Sequence, residues 1–145
     1  MADVSFLGSK ITVIAVPTFP QGFTVEHFSD DADPITFDAV EIKGAAMGVN
    51  GDKITWKRPN LKPVTLNVIP NSSEDQNLGI LYATNAPAKN KVSIDDDITI
   101  IIQEASGKVT SCVGGTIISG DPANSATSDG RIKTKSYSFV FEKII

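Results

Sequence analysis

Ile98-Thr99-Ile100-Ile101-Ile102-Gln103 is the stretch on which the fold turns: apolar, β-branched, and without glycine or proline. Such a run is too short for a buried helix and reads as a strand, with Ile98 to Ile102 expected to be buried on both faces. Working outward, the same β-rich character recurs at Lys10 to Val16, Phe23 to Phe28, Ile35 to Ile42, Lys53 to Lys57, Val64 to Val68, Lys108 to Ser119 and Tyr137 to Ile144. In Phe23 to Phe28 the alternation places Phe23, Val25 and His27 on one side. About eight strands at short spacing predict a mainly β protein, a β-sandwich or open barrel. At 145 residues, with 41% hydrophobic and 21% charged residues, one domain over 1–145 with an ordinary core is expected.

One segment departs from this period. Leu78, Leu81 and Tyr82 share a helical face, and Ser73 with Gln76 three residues on fits a capping box. Glu74 and Asp75 lie where the helix dipole favours negative charge, and Asn85-Ala86-Pro87 ends the run. A flanking helix over about 74–84 is predicted.

Between two strands lies Gly44-Ala45-Ala46-Met47-Gly48-Val49-Asn50-Gly51, small and apolar. Asn50-Gly51 favours a two-residue turn with positive φ at both central positions, so a long protruding hairpin over about 42–55 is predicted. Met47 and Val49 at its tip suit burial against something better than they suit water. Gly120 to Gly130, rich in Ser, Asn, Asp and Gly, reads as a surface loop.

The net charge of −4 argues against binding nucleic acid through bulk charge. The single cysteine, Cys112, excludes an intrachain disulfide and a multi-thiolate zinc site, and its strand-like setting predicts a buried, inert thiol. His27 is the one histidine, so any Ser-His-Asp or Cys-His arrangement would need it, and a structural role is the better reading. Gly114-Gly115 lacks the following lysine and helix of a phosphate loop. Asp95-Asp96-Asp97 and Asp30-Asp31-Ala32-Asp33 lack the spacing of an EF-hand and read as solvated turns. No catalytic residue, metal or cofactor is expected, and no enzyme. The apolar runs are too short or too broken for a membrane-spanning helix, and Met1-Ala2-Asp3 lacks the basic start of a signal peptide, so a soluble protein made in a reducing cytoplasm is expected, without a membrane anchor.

Charge is unevenly spread. Gln21 to Ile42 holds Glu26, Asp30, Asp31, Asp33, Asp38 and Glu41 and no basic residue, whereas Lys43 to Lys62 holds Lys43, Lys53, Lys57, Arg58 and Lys62 against Asp52. Two solvated patches, or a contact between the acidic patch of one copy and the basic patch of another, both fit.

The order of features resembles the tail tube proteins of contractile-tailed bacteriophages. It runs from Gly22-Phe23 through acidic Asp30 to Asp33 and the small-residue hairpin Gly44 to Gly51. Val64-Thr65-Leu66 then leads into Asn71-Ser72-Ser73 and a helix with Asn77, Leu78 and Leu81. Gly114-Gly115-Thr116-Ile117, Gly120-Asp121-Pro122 and the aromatic strand Tyr137-Ser138-Phe139-Val140-Phe141 complete it. The resemblance covers nearly the whole chain. It implies a non-enzymatic virion protein that forms stacked, hexameric rings by heterologous contacts, the rings making an inner tube for DNA delivery. Implied partners are other copies, the tail sheath protein, and tape measure and baseplate or terminator proteins, with DNA passing unbound. Assembly in the host bacterial cytoplasm and a final place in the virion tail are implied as well. The hairpin Gly44 to Gly51 would stack on the next ring. Asp30, Asp31, Asp33, Lys57 and Arg58 would meet between subunits, and Asp38 or Glu41 would face the lumen, although a regular strand puts those two on opposite faces. The tube of a DNA-free contractile particle, a tailocin, is a related reading. A β-sandwich binding a small ligand or carbohydrate through Trp56 and Tyr82, with calcium at Asp95 to Asp97, is a rival of another class.

Overall fold

A computed structural model describes residues 4–145. Its elements are β1 (Lys10–Val16), β2 (Phe19–Val25), β3 (Ile35–Phe37), β4 (Lys43–Met47), β5 (Lys53–Lys57), β6 (Lys62–Val68), α1 (Ser73–Asn85), β7 (Asp97–Gln103), β8 (Val109–Gly120) and β9 (Lys135–Ile144). Seven strands form one antiparallel sheet in the order β2-β1-β7-β8-β9-β6-β3, and β4 and β5 pair only with each other. The fold is thus mainly β with one helix and a separate hairpin, as the alternation predicts. No helix among the described residues is long and apolar enough to cross a membrane.

The large sheet curls. Phe28, just beyond β2 at one edge, bridges to Val68 at the end of β6, and the Ile69 amide donates to the His27 carbonyl at 3.3 Å. The two sides of the sheet therefore meet at one end, giving an open barrel instead of two separate layers. Ile11, Val13 and Ala15 of β1, Val64, Leu66 and Val68 of β6, Ile98, Ile100 and Ile102 of β7, and Tyr137, Phe139 and Phe141 of β9 fill it, each at alternate positions. Leu78 and Leu81 of α1 close the core from the helix side.

Several boundaries differ from the sequence reading. β7 buries Ile98, Ile100 and Ile102, but Thr99 and Ile101 are only half-buried, so the strand is shielded on one face and not on both. β2 begins at Phe19, ahead of Pro20, and ends before His27. Proline is tolerated there since β2 is an edge strand. The strand expected over Ile35 to Ile42 stops at Phe37, where its pairing with Val64 of β6 ends. The helix cap is Ser72, not Ser73: Ser72 is extended and its hydroxyl accepts from the Asp75 amide at 3.2 Å. Asp75 completes the reciprocal bond one residue further back, accepting from the Asn71 amide at 2.9 Å. The left-handed Asn71 (φ 63°) makes this turn and shifts the box by one. Gly120 to Gly130 leads into a tight turn in which the Thr127 amide donates to the Arg131 carbonyl and the Lys133 amide donates to the Ser125 carbonyl, each at 2.7 Å.

Candidate functional site: the hairpin and the acidic edge

The hairpin β4–β5 stands off the barrel, and no strand or helix packs substantially on it. Its register is Lys43 with Lys57, Gly44 with Trp56, Ala45 with Thr55, Ala46 with Ile54 and Met47 with Lys53. The turn is not the expected two-residue Asn50-Gly51 type. The Gly51 amide donates to the Gly48 carbonyl at 2.9 Å, the Gly48 amide donates to Asp52 at 2.7 Å, and of the turn residues only Gly51 has positive φ, 85°. This is a three-residue loop, Val49 to Gly51, built on a type I turn followed by a left-handed glycine.

That register sorts the side chains, because directly paired residues share a face. One face carries Lys43, Lys57, Ala45, Thr55, Met47 and Lys53. The other carries Gly44, Trp56, Ala46 and Ile54. Trp56 lies flat over Gly44, where a Cβ would meet the indole at 2.2 Å, so only glycine fits. Both faces are in water: Met47 is 72% exposed, Ile54 53% and Trp56 49%, and Val49 at the tip is fully exposed.

Of the expected charge contacts, Arg58 pairs with Glu41 of the same chain at 2.9 Å, at the base of the hairpin. Asp30 is bridged by Arg131, and this pairing, with backbone bonding, lowers the Asp30 pKa. Asp31 accepts from the hydroxyls of Ser29 and Thr134, which lower its pKa too. Asp33 is exposed, and its carbonyl accepts from Asn67 at 2.6 Å. Lys57 is exposed. Asp38 and Glu41 lie outside any strand, both exposed, so the alternating-face argument does not apply to them. Among the described residues Lys43, Lys53, Lys57, Asp33 and Asp38 enter no ion pair.

Two buried polar nodes were invisible in the sequence. Asp96, expected in a solvated turn, is buried. It accepts from the Thr18 amide (3.0 Å), the Thr18 hydroxyl (2.7 Å) and the Asn85 side chain (2.7 Å), and its own amide donates to Asn85 at 2.9 Å. It thereby ties the β1–β2 turn to the end of α1 and the start of β7. Asp75 accepts from the Tyr137 hydroxyl at 2.9 Å and lies 3.4 Å from the Lys135 ammonium. Burial and that carboxylate push the Tyr137 phenol well above its ordinary range.

His27 lies 2.9 Å from Glu74 at the start of α1. Burial opposes the Glu74 charge, but backbone amides and His27 outweigh it and lower its pKa. His27 thus has a structural role, clasping α1 next to the barrel's closing bridge. Cys112 is buried, and that burial pushes its thiol up to about 11, which disfavours the thiolate. Among the described residues no three His, Cys, Asp or Glu side chains gather as metal ligands. Trp56 is on the hairpin and Tyr82 on α1, where it lines a small cleft with Asn85, Pro87 and Ile117.

The family model described as Tail fiber protein gp32 matches residues 2–145. No curated protein matches the sequence. Among solved structures, a chain of the PVC sheath–tube complex of an extracellular contractile injection system, in the extended state, shares the fold. It is 15% identical, with a TM-score of 0.52, over 99% of this chain and 92% of that one. The tube-terminating cap of the anti-feeding prophage is similar too: 16% identical, with a TM-score of 0.50, over 100% of this chain and 92% of that one.

Proposed function

The chain belongs to the Tail fiber protein gp32 family, and on that premise we propose that it is a non-enzymatic structural subunit of a contractile tail, self-assembling into stacked rings of a tail tube. The observation that carries this reading is the hairpin, a two-stranded arm standing off a closed core with Met47, Val49, Ile54 and Trp56 all exposed. An isolated two-stranded hairpin is at best marginally stable in water. This one gains cover if it lies on another copy, and such a contact, joining two different surfaces, propagates along an axis. The barrel fold shared with chains of a sheath–tube complex and a tube cap supports the same reading. On it the partners are further copies, then the sheath, tape measure and terminator proteins, and the location is the tail of a virion or of a DNA-free particle. The tube conducts DNA, where it does, without binding it.

The family description favours a second reading, a subunit of a tail fibre, in which the hairpin joins copies into a solid rod. Electron microscopy of the purified protein over a range of concentrations separates the two. Hollow tubes or rings are expected. Solid rods transfer the protein to the fibre reading, and dispersed monomers at every concentration overturn self-assembly. Met47→Asp with Val49→Asp is expected to leave folded subunits that no longer stack. Normal tubes from that variant sink the role of the hairpin.

A further inference from the structure

The two faces of the hairpin differ in chemistry, and the barrel has an edge that fits one of them. Lys43 and Lys57 are directly paired across the ladder, with Lys53 on the same face. Like charges directly opposite each other destabilise a strand pair. Among the described residues none of the three enters an ion pair, and Glu41 at the hairpin base is taken by Arg58. A lysine face of this kind is relieved by an anionic surface.

β3, like β2, is an outermost strand of the large sheet, and it has a strand partner, β6, on one side only. Asp33 and Asp38 bracket it, both exposed. Beside it is an apolar hollow of about 250 Å³ lined by Phe6, Pro34, Ile35 and Asp33. The spacings agree. Lys53 and Lys57 are four residues apart on a strand, about 14 Å. Asp33 and Asp38 are five residues apart, at most about 18 Å.

The geometry points to a second copy of this chain as the occupant of the β3 edge: the lysine face of one hairpin lies along β3 of the next copy, with Lys53 and Lys57 toward Asp33 and Asp38 and Met47 toward the hollow. This deepens the proposed function and rests on it for the assembly that results. It leaves the opposite face, with Ile54 and Trp56, for a different neighbour.

Two variants test the contact: Lys53→Glu with Lys57→Glu, and Asp33→Lys with Asp38→Lys. Each alone opposes like charges across the contact and is expected to cut the sedimenting fraction at low salt by about tenfold or more. Mixed one to one, the two variants present opposite charges at every contact in an alternating stack, and sedimentation is expected to return. Assembly of either variant alone at the wild-type level, or no recovery in the mixture, overturns the pairing. A second readout uses the wild-type chain, half of it isotope-labelled, with a zero-length carbodiimide and mass spectrometry. Cross-links between copies from Lys53 or Lys57 to Asp33 or Asp38 are expected. Tubes without such cross-links overturn this contact and spare the tube. Cross-links without tubes keep the contact and overturn the tube, and neither overturns both.

Discussion

The barrel and the hairpin are made of the same antiparallel ladder, yet they place their side chains in opposite worlds. Phe139 and Phe141, on β9, are fully buried, and every strand of the barrel except the short edge strand β3 has at least one fully shielded residue. All five residues of β5 are exposed. The barrel is stable because one face of each strand leaves water; the hairpin leaves both faces in it. Strand pairing alone does not supply that stability, and the contact with another copy proposed above is what would supply it.

The largest effect separating the two regions is expected in the core. Phe139 stacks on Phe141 at 6.3 Å between ring centres in the middle of β9. Phe139→Ala removes a ring from a closed space and is expected to cost about 3–5 kcal/mol. In a domain of this size that lowers the melting temperature by roughly 10 °C in far-ultraviolet circular dichroism. A change under ~1 kcal/mol would mean that the β9 face is not the packed core described above.

A smaller effect is expected at Asp96. Asp96→Ala leaves the Thr18 amide and the Asn85 side chain without their acceptor, a loss of about 2–3 kcal/mol. The same substitution at Asp97, an exposed neighbour, is expected to change stability by less than about 0.5 kcal/mol. Equal melting temperatures for the two variants would return Asp96 to an ordinary solvated turn.

These two sites also mark what a sequence reveals. Phe139 was legible because alternation over Tyr137 to Phe141 reports burial directly. Asp96 was not, because its partner Thr18 lies 78 residues away and only the tertiary fold joins them. The hairpin was legible as an arm from its small residues and Asn50-Gly51, but its faces were not. A two-residue turn would pair Met47 with Ile54 and put Trp56 on the face of Lys43 and Met47. The three-residue loop slips that register by one, gathering Lys43, Lys53 and Lys57 on one side and Ile54 and Trp56 on the other. The acidic patch was legible as composition, whereas the pairing of Asp30 with Arg131 spans 101 residues and was not.

The finest test uses the one tryptophan of the chain, Trp56, which belongs to the hairpin. Its fluorescence reports that arm, while circular dichroism at far-ultraviolet wavelengths reports mainly the barrel. If the arm opens without the barrel, the emission of the unassembled protein changes at a lower temperature, or over a broader range, than the dichroism. Trp56→Ala is expected to move the barrel's transition by less than about 0.5 kcal/mol, since Trp56 is half exposed on an arm on which no strand or helix of the barrel packs substantially. Coincident, equally sharp transitions by both probes would show the arm and barrel to be one cooperative unit, and the contrast between them would fail. On assembly the indole is expected to shift to the blue as its exposed half is covered. No shift in intact assemblies would leave the Trp56 face in solvent and assign the contact to the lysine face alone.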